Sequence, residues 1–226
     1  MKLKFAPYSF SRLSKFSQCK RKFKYSVIDK APQNKKDMTP LIKGGAVHSI
    51  LEHFPATSDH KHAQKYQYLV DKFVSTELGE KYLHREHISE FSFGLTQTLE
   101  PCGFFDKDAL FRGKIDYICI IDNVLHLDDF KSGKYRDEKW QNYDQLLFYG
   151  LYFFLFRPEI QKIKISYVFI EHNEENSIIL EREYLKVYAK SLVDIIKATE
   201  EEIEFPKTPS KLCPWCEFET FCGKDQ

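Results

Sequence analysis

Two alternating apolar segments, Phe111–Ile121 and Val124–Phe130, are separated by only Asp122 and Asn123. A two-residue connection between strands dictates a tight antiparallel hairpin, and it fixes which side chains face each other. With Ile121 opposite Val124, counting outward sets Asp116 directly across from Asp129. Directly opposed Cβ atoms lie roughly 4.5–5.5 Å apart. Lys131 follows Asp129 by two positions and so emerges on the same face.

Two carboxylates held face to face repel each other, and a divalent cation between them removes the conflict. Hard oxygen donors at this spacing suit Mg²⁺ or Mn²⁺. Such an ion activates water and stabilises charge on a phosphodiester. The Lys131 ammonium is in reach to orient the water or to neutralise charge building on the phosphate. The bare D…DxK pattern also describes a solvent-facing hairpin with an Asp–Lys salt bridge, so spacing alone leaves both readings open.

The flanking residues narrow the choice. Gly113-Lys114-Ile115-Asp116, followed by Asp129-Phe130-Lys131-Ser132-Gly133-Lys134, resembles the core of the PD-(D/E)XK nucleases. It is most similar to the RecB, AddAB and CRISPR-associated exonuclease branch. There a hairpin carries Asp and then (Asp/Glu)-x-Lys, often continued as Lys-Ser/Thr-Gly. The resemblance runs nearly the full length. It implies an α/β fold with a restriction-endonuclease-like core, a mixed central sheet flanked by helices, and one nuclease domain over residues 1–226. It also implies a Mg²⁺- or Mn²⁺-dependent deoxyribonuclease. Asp116, Asp129 and the backbone carbonyl of Phe130 would be metal ligands, and Lys131 the catalytic lysine.

Two further stretches fit this branch. Lys43-Gly44-Gly45-Ala46-Val47-His48 is similar to its Gly-x-x-x-His helix start, which implies His48 as another metal ligand. His48 and Glu52, four residues apart, share a helix face. Gln145 and Tyr149 resemble the Gln-x-x-x-Tyr motif, implied to lie beside the active site, where it contacts DNA or orients the lysine. The same helix also reads as core, through Leu146, Leu147, Leu151 and Phe153. Glu90, ahead of the hairpin, is a candidate supporting acid.

Six cysteines in an intracellular chain do not make a disulfide framework. Cys213-x₂-Cys216-x₅-Cys222 supplies three thiolates, one short of a tetrahedral set. Cys102 and Cys119 fall in or near the expected sheet. Cys19 lies in Tyr8-Ser9-Phe10-Ser11…Cys19-Lys20-Arg21-Lys22-Phe23, similar to the S-x-S…C-P-R-x-F opening of the iron–sulfur members, with Lys20 where Pro is common. The resemblance implies a [4Fe–4S] cluster on Cys19, Cys213, Cys216 and Cys222. The resulting iron–sulfur knuckle joins residues 1–30 and 205–226 into a DNA-binding subregion. Zn²⁺ on the same ligands is the alternative.

The bulk composition bounds the rest. A chain of 226 residues with 42% hydrophobic content suits one compact domain. No apolar run reaches the roughly 20 residues of a membrane span, and the N-terminus lacks the apolar stretch of a signal peptide. A cytoplasmic protein is expected, and its size suits a stand-alone enzyme of a phage or a CRISPR-bearing prokaryote. The net charge of +1 is uninformative, but Met1 to Ile28 carries eight basic residues and no acidic ones, interleaved with aromatics. That pattern suits a nucleic-acid backbone and unstacked bases, with Arg21 and Lys22 as DNA contacts, beside Tyr149, which the family resemblance implies as another. It equally describes a solvated helix face. No P-loop is present, so a helicase would be a separate partner, as would CRISPR or recombination proteins.

The expected activity is exonucleolytic, from single-stranded DNA ends, in repair, recombination or CRISPR or phage DNA processing. The alternatives are an iron–sulfur DNA-end-binding adaptor and a flap or junction endonuclease. Periodicity predicts helices over residues 8–28, 46–54, 63–80, 140–156 and 188–204. It predicts further strands over 87–99, 163–170 and 177–185.

Overall fold

The computed structural model describes residues 3–34, 37–83 and 86–224. Lys2, one of the eight N-terminal cations, lies outside them. The centre is a six-stranded sheet in the order β2-β1-β3-β4-β5-β6. Its strands are β1 (His87–Thr96), β2 (Pro101–Cys102), β3 (Ala109–Ile121), β4 (Val124–Lys131), β5 (Lys162–Phe169) and β6 (Glu174–Glu181). β4 and β5 run parallel and every other pair is antiparallel, so the sheet is mixed. With helices on both faces this is the α/β restriction-endonuclease-like architecture.

The β3–β4 hairpin has the expected register, from Ile121↔Val124 to Tyr117↔Asp128. Asp122 and Asn123 take φ of 51° and 61°. Those are the two left-handed positions of a type I′ turn, which Asp and Asn tolerate.

One face of the sheet is covered by α6 (Asp144–Phe156) and α7 (Leu185–Glu201), the other by α3 (Thr39–His53), α4 (Ala63–Val74) and α5 (Glu77–Leu83). α6 buries Leu146, Tyr149, Leu151 and Phe154 among others, and such all-round burial explains its near absence of polar residues. Between β1 and β3 the pairing runs from Ser89↔Tyr117 to Phe91↔Ile115, skipping Glu90 and Asp116. Ile115 packs in the α6 core and Tyr117 in the α3–α5 core. Residues two apart on a regular strand share a face, so the pleat changes phase at Asp116. Glu90, across from it, sits at φ 55°, a costly conformation for a non-glycine residue. The strained point of the sheet is thus where the acidic residues lie.

The N-terminal segment is not one helix over 8–28. α1 (Phe10–Gln18) ends at Cys19, whose backbone is extended, and α2 (Lys20–Phe23) follows, continuing as a π-helical turn over Lys24–Ile28. Neither Gly nor Pro marks this break. α3 starts at Thr39, with Pro40 in its first turn, so Gly44 and Gly45 lie inside the helix and not ahead of it. Proline favours a first turn, and tertiary packing overrides the glycines' poor propensity. The predicted 63–80 helix is split at Ser75 and Thr76 into α4 and α5. α6 begins at Asp144 because the Asn142 side chain accepts the Asp144 N–H at 2.8 Å. α7 stops at Glu201, since the Glu202 carboxylate collects the N–H groups of Ile203, Glu204 and Phe205 and turns the chain.

The chain ends are knit together. Phe23 stacks on Phe205 with ring centroids 6.1 Å apart, and Phe16 completes the cluster. The Asn34 N–H donates to the Glu217 carbonyl at 2.8 Å. The last helix, α8, spans Glu219–Lys224. Among the described residues, no helix is long and apolar enough to cross a membrane.

Candidate active site

Where β3 and β4 reach the phase change, their polar residues meet α3 and α6. The Asp116 carboxylate accepts the Phe130 N–H at 2.9 Å. His48, projecting from α3, places Nε2 2.8 Å from the Phe130 carbonyl oxygen and Nδ1 3.4 Å from Asp116 Oδ2. The backbone N–H and C=O of Phe130 are thus both engaged, one by Asp116 and the other by His48. Glu90 Oε1 lies 3.9 Å from His48 Nδ1, and the other Glu90 oxygen pairs with Lys114. Donor atoms of His48, Glu90 and Asp116 all lie within 4.8 Å of one another, a grouping able to hold a metal ion. In the sequence, Glu90 has only its position ahead of the hairpin to recommend it. Its role in this triad depends on the left-handed backbone, which no sequence pattern announces.

Asp129 lies on the α6 side, outside that tight triad. Its Oδ1 accepts from Gln145 Nε2 at 2.8 Å and its Oδ2 pairs with Lys131. Burial, with Asp116 beside it, pushes the Asp129 carboxyl up to about 6 against the pull of Lys131 and His48. His48 shows the complement. Burial lowers its pKa, but Asp116, Asp129 and the Phe130 carbonyl more than offset this and raise it to about 9. Two carboxylates thus share one imidazolium and one ammonium, a charge distribution that a divalent cation can take over. The donors are carboxylates, a carbonyl and an imidazole with no thiolate among them, and they fit a hard cation.

Lys131 Nζ sits 4.9 Å above the Tyr167 ring and its side chain is 38% exposed, so it is steadied yet open to solvent. Gln145 Nε2 is also 3.3 Å from the Tyr149 hydroxyl. Tyr149 is 6% exposed, packed edge-on against Phe93. It stands behind Gln145, and its hydroxyl is the neighbour of the Gln145 amide. Gly113 makes this packing possible: a Cβ there would lie 2.4 Å from the Phe93 ring and 2.8 Å from that of Tyr149.

A groove of about 540 Å³ runs from Lys131 and Gln145 past Lys134 and Arg136 to Ser14 and Gln18 on α1. Charge patterning points to neither Lys134 nor Arg136 as a DNA contact, although Lys134 belongs to the motif. Arg21 and Lys22 have internal partners: Arg21 Nε donates to the Phe205 carbonyl at 2.8 Å, and Lys22 pairs with Glu217 at 3.2 Å. Lys20 pairs with Glu202 at 2.5 Å. Much of the basic N-terminal charge is met by acidic residues of the C-terminal segment.

Cys19, Cys213, Cys216 and Cys222 line one cavity of about 650 Å³, together with Arg21 and Lys22. Cys19 Sγ accepts the Thr208 N–H at 3.4 Å and Cys213 Sγ that of Ser210 at 3.2 Å. Cys102 and Cys119 lie in β2 and β3, away from this cavity.

The PD-(D/E)XK nuclease superfamily matches residues 7–223. The chain belongs to that superfamily, whose members are nucleases using divalent metals such as Mg²⁺ or Mn²⁺. Among solved structures it is similar to one described as "Crystal structure of SSO0001", at 14% identity and a TM-score of 0.42, covering 98% of this chain and 87% of that one. A likeness this distant carries no argument. No curated protein matches.

Proposed function

We propose that the chain is a Mg²⁺- or Mn²⁺-dependent deoxyribonuclease that degrades DNA from single-stranded ends, in repair, recombination or the processing of CRISPR or phage DNA. The observation that carries this reading is the convergence of His48, Asp116 and the Phe130 carbonyl beside the Asp129–Lys131 pair. A cation held by His48, Asp116, Asp129 and the Phe130 carbonyl supplies Lewis-acid stabilisation of the phosphate and lowers the pKa of bound water. The chain's own groups set the geometry. Gln145 fixes the Asp129 carboxylate, and Tyr149 steadies Gln145. Lys131 is open to solvent where it can orient the attacking water and neutralise charge developing on the phosphate. The groove past Lys134 and Arg136 gives a strand a cationic path to these groups. Arg21 and Lys22 line the cysteine cavity, which shares Gln18 with this groove, and we retain them as phosphate contacts of lesser weight.

The same reading assigns a [4Fe–4S] cluster to Cys19, Cys213, Cys216 and Cys222 as a structural staple of residues 1–30 and 205–226. The four cysteines share one cavity, N–H groups are aimed at two of the sulfurs, and Arg21 and Lys22 stand beside them, which supports a thiolate-bound centre there. The protein would act in the cytoplasm with a separate helicase or with CRISPR or recombination proteins.

The deciding experiment incubates the purified chain with end-labelled linear and with circular single-stranded DNA, with and without Mg²⁺ or Mn²⁺. Metal-dependent loss of the linear substrate alone is expected. Cleavage of circles would indicate an endonuclease, and end binding without cleavage an adaptor.

A further inference from the structure

The face of β4 opposite Asp129 carries a second grouping with metal-ligand chemistry. His87, Cys119 and His126 lie in one row across three strands, since His87 pairs with Cys119 and Cys119 with His126. Asp128 follows His126 by two positions and shares its face. Donor atoms of Cys119, His126 and Asp128 all lie within 4.8 Å of one another, and the three residues are 3%, 6% and 0% exposed.

Asp128 argues for a ligand independently. Its Oδ1 receives the Tyr82 hydroxyl at 3.4 Å, while its Oδ2 is buried without a hydrogen-bond partner among the described residues. Ser166, next along the sheet, lies 3.3 Å from Glu175 and also acts on the Asp128 carboxyl, as do the Lys164 and Lys81 ammoniums. Among the described residues Asp128 Oδ2 itself has no direct donor, and a buried carboxylate oxygen in that state is costly unless a proton or a cation meets it.

We propose that Cys119, His126 and Asp128 form a structural Zn²⁺ site on the back of the catalytic strand, with His87 or a water as fourth ligand. Thiolate, imidazole and carboxylate together are the donor set of zinc; the all-oxygen preference of Mg²⁺ excludes it. The site at Asp116 and this one would therefore differ in chemistry. Loading would exchange waters of the hydrated ion for Cys119 Sγ, a His126 nitrogen and an Asp128 oxygen, with a His87 nitrogen or one retained water as the fourth ligand, and would release the Cys119 proton to solvent with no redox change. Bridging Cys119 on β3 to His126 and Asp128 on β4, the ion would lock the hairpin just behind Asp129.

The test is anomalous diffraction at the zinc edge on crystals of the full chain grown with excess Zn²⁺. A peak is expected about 2.0–2.3 Å from Cys119 Sγ, His126 and Asp128. His126→Ala should remove that peak while leaving any signal at Asp116 or at Cys213. Cys119→Ser serves if His126→Ala does not fold, and the wild-type map is decisive by itself. Zinc elsewhere but none here, with Cys119 and His126 simply hydrogen-bonded, would overturn the proposal. So would a peak that persists in both variants.

Discussion

The Asp116 carboxylate accepts the backbone N–H of Phe130, the residue between Asp129 and Lys131, at 2.9 Å. The acid on one strand is thus aimed by the strand that carries the other acid and the lysine. Asp116→Asn retains an oxygen for this hydrogen bond but weakens any metal site. We expect an unchanged circular-dichroism spectrum with cleavage reduced a hundredfold or more, about 3 kcal/mol of lost transition-state stabilisation. Asp129→Ala and Lys131→Ala should be at least as severe. Near-wild-type rates in all three variants would remove the basis of the nuclease reading.

Metal affinity should follow the protonation of His48. With no metal bound its pKa is raised to about 9, and only the neutral imidazole is a ligand, so a proton must leave as the metal binds. Mn²⁺ affinity should therefore climb between roughly pH 6.5 and 9, by up to about tenfold per pH unit for one proton released. Calorimetry in buffers of different ionisation enthalpy counts the protons. His48→Ala should lower affinity and flatten the slope; an unchanged slope would exclude His48 as a ligand.

Glu175 joins α5 to the sheet by pairing with Lys81 at 2.8 Å and with Lys164. Burial raises its pKa, but the hydrogen bonds and charges of the two lysines outweigh this and bring it to about 2. A folded-state pKa below the ordinary value of 4.5 means stability that is present above pH 4.5 and lost as pH falls toward 2. Glu175→Gln should cost about 1–3 kcal/mol in urea unfolding at pH 7. Its deficit relative to wild type should shrink progressively below pH 4.5; a constant deficit would assign the loss to packing alone.

Protein purified without oxygen should be brown, with about four iron and four sulfide per chain. Cys19→Ser, Cys213→Ser, Cys216→Ser and Cys222→Ser should each lose the colour and lower the melting temperature, while Cys102→Ser and Cys119→Ser keep the colour. A colourless protein carrying zinc on the four cysteines would replace the cluster without touching the nuclease centre. Retained colour in Cys19→Ser would point to a different fourth ligand.

Gly113→Ala tests how Tyr149 supports the Asp129 carboxylate. The added carbon would meet two aromatic rings closer than 3 Å. Overpacking of this kind costs about 1–3 kcal/mol, and displaced Tyr149 would release Gln145 from Asp129. Lower activity at unchanged metal affinity is the expected signature, read from initial rates at saturating Mn²⁺.

The hairpin is legible in the sequence because a two-residue loop leaves no freedom in register. The ladder follows that register as far as Tyr117↔Asp128; beyond it the phase change at Asp116, which no residue pattern announces, decides how Asp116 sits relative to Asp129. His48 and Gln145 depend on a resemblance, since a lone His or Gln on a helix has no distinctive pattern. Glu90 carries little signal in the sequence because its position follows from strand distortion, a tertiary effect. The N-terminal cations are legible as charge but not as partners: Glu202 and Glu217, distant in sequence, decide where Lys20 and Lys22 point.

The type I′ turn at Asp122 and Asn123 lies roughly 20 Å along the strand from Asp129, at the rise of an antiparallel strand. It nevertheless sets which acid reaches the reaction. Asp128 and Asp129 are adjacent, so a slip of β4 by one residue would present Asp128 and Phe130 where Asp129 and Lys131 now stand. The carboxylate would survive such an error and the ammonium would not. The remote loop works as the timing gear of the catalytic strand, and a one-residue insertion there would disarm the enzyme without altering any side chain of its active site.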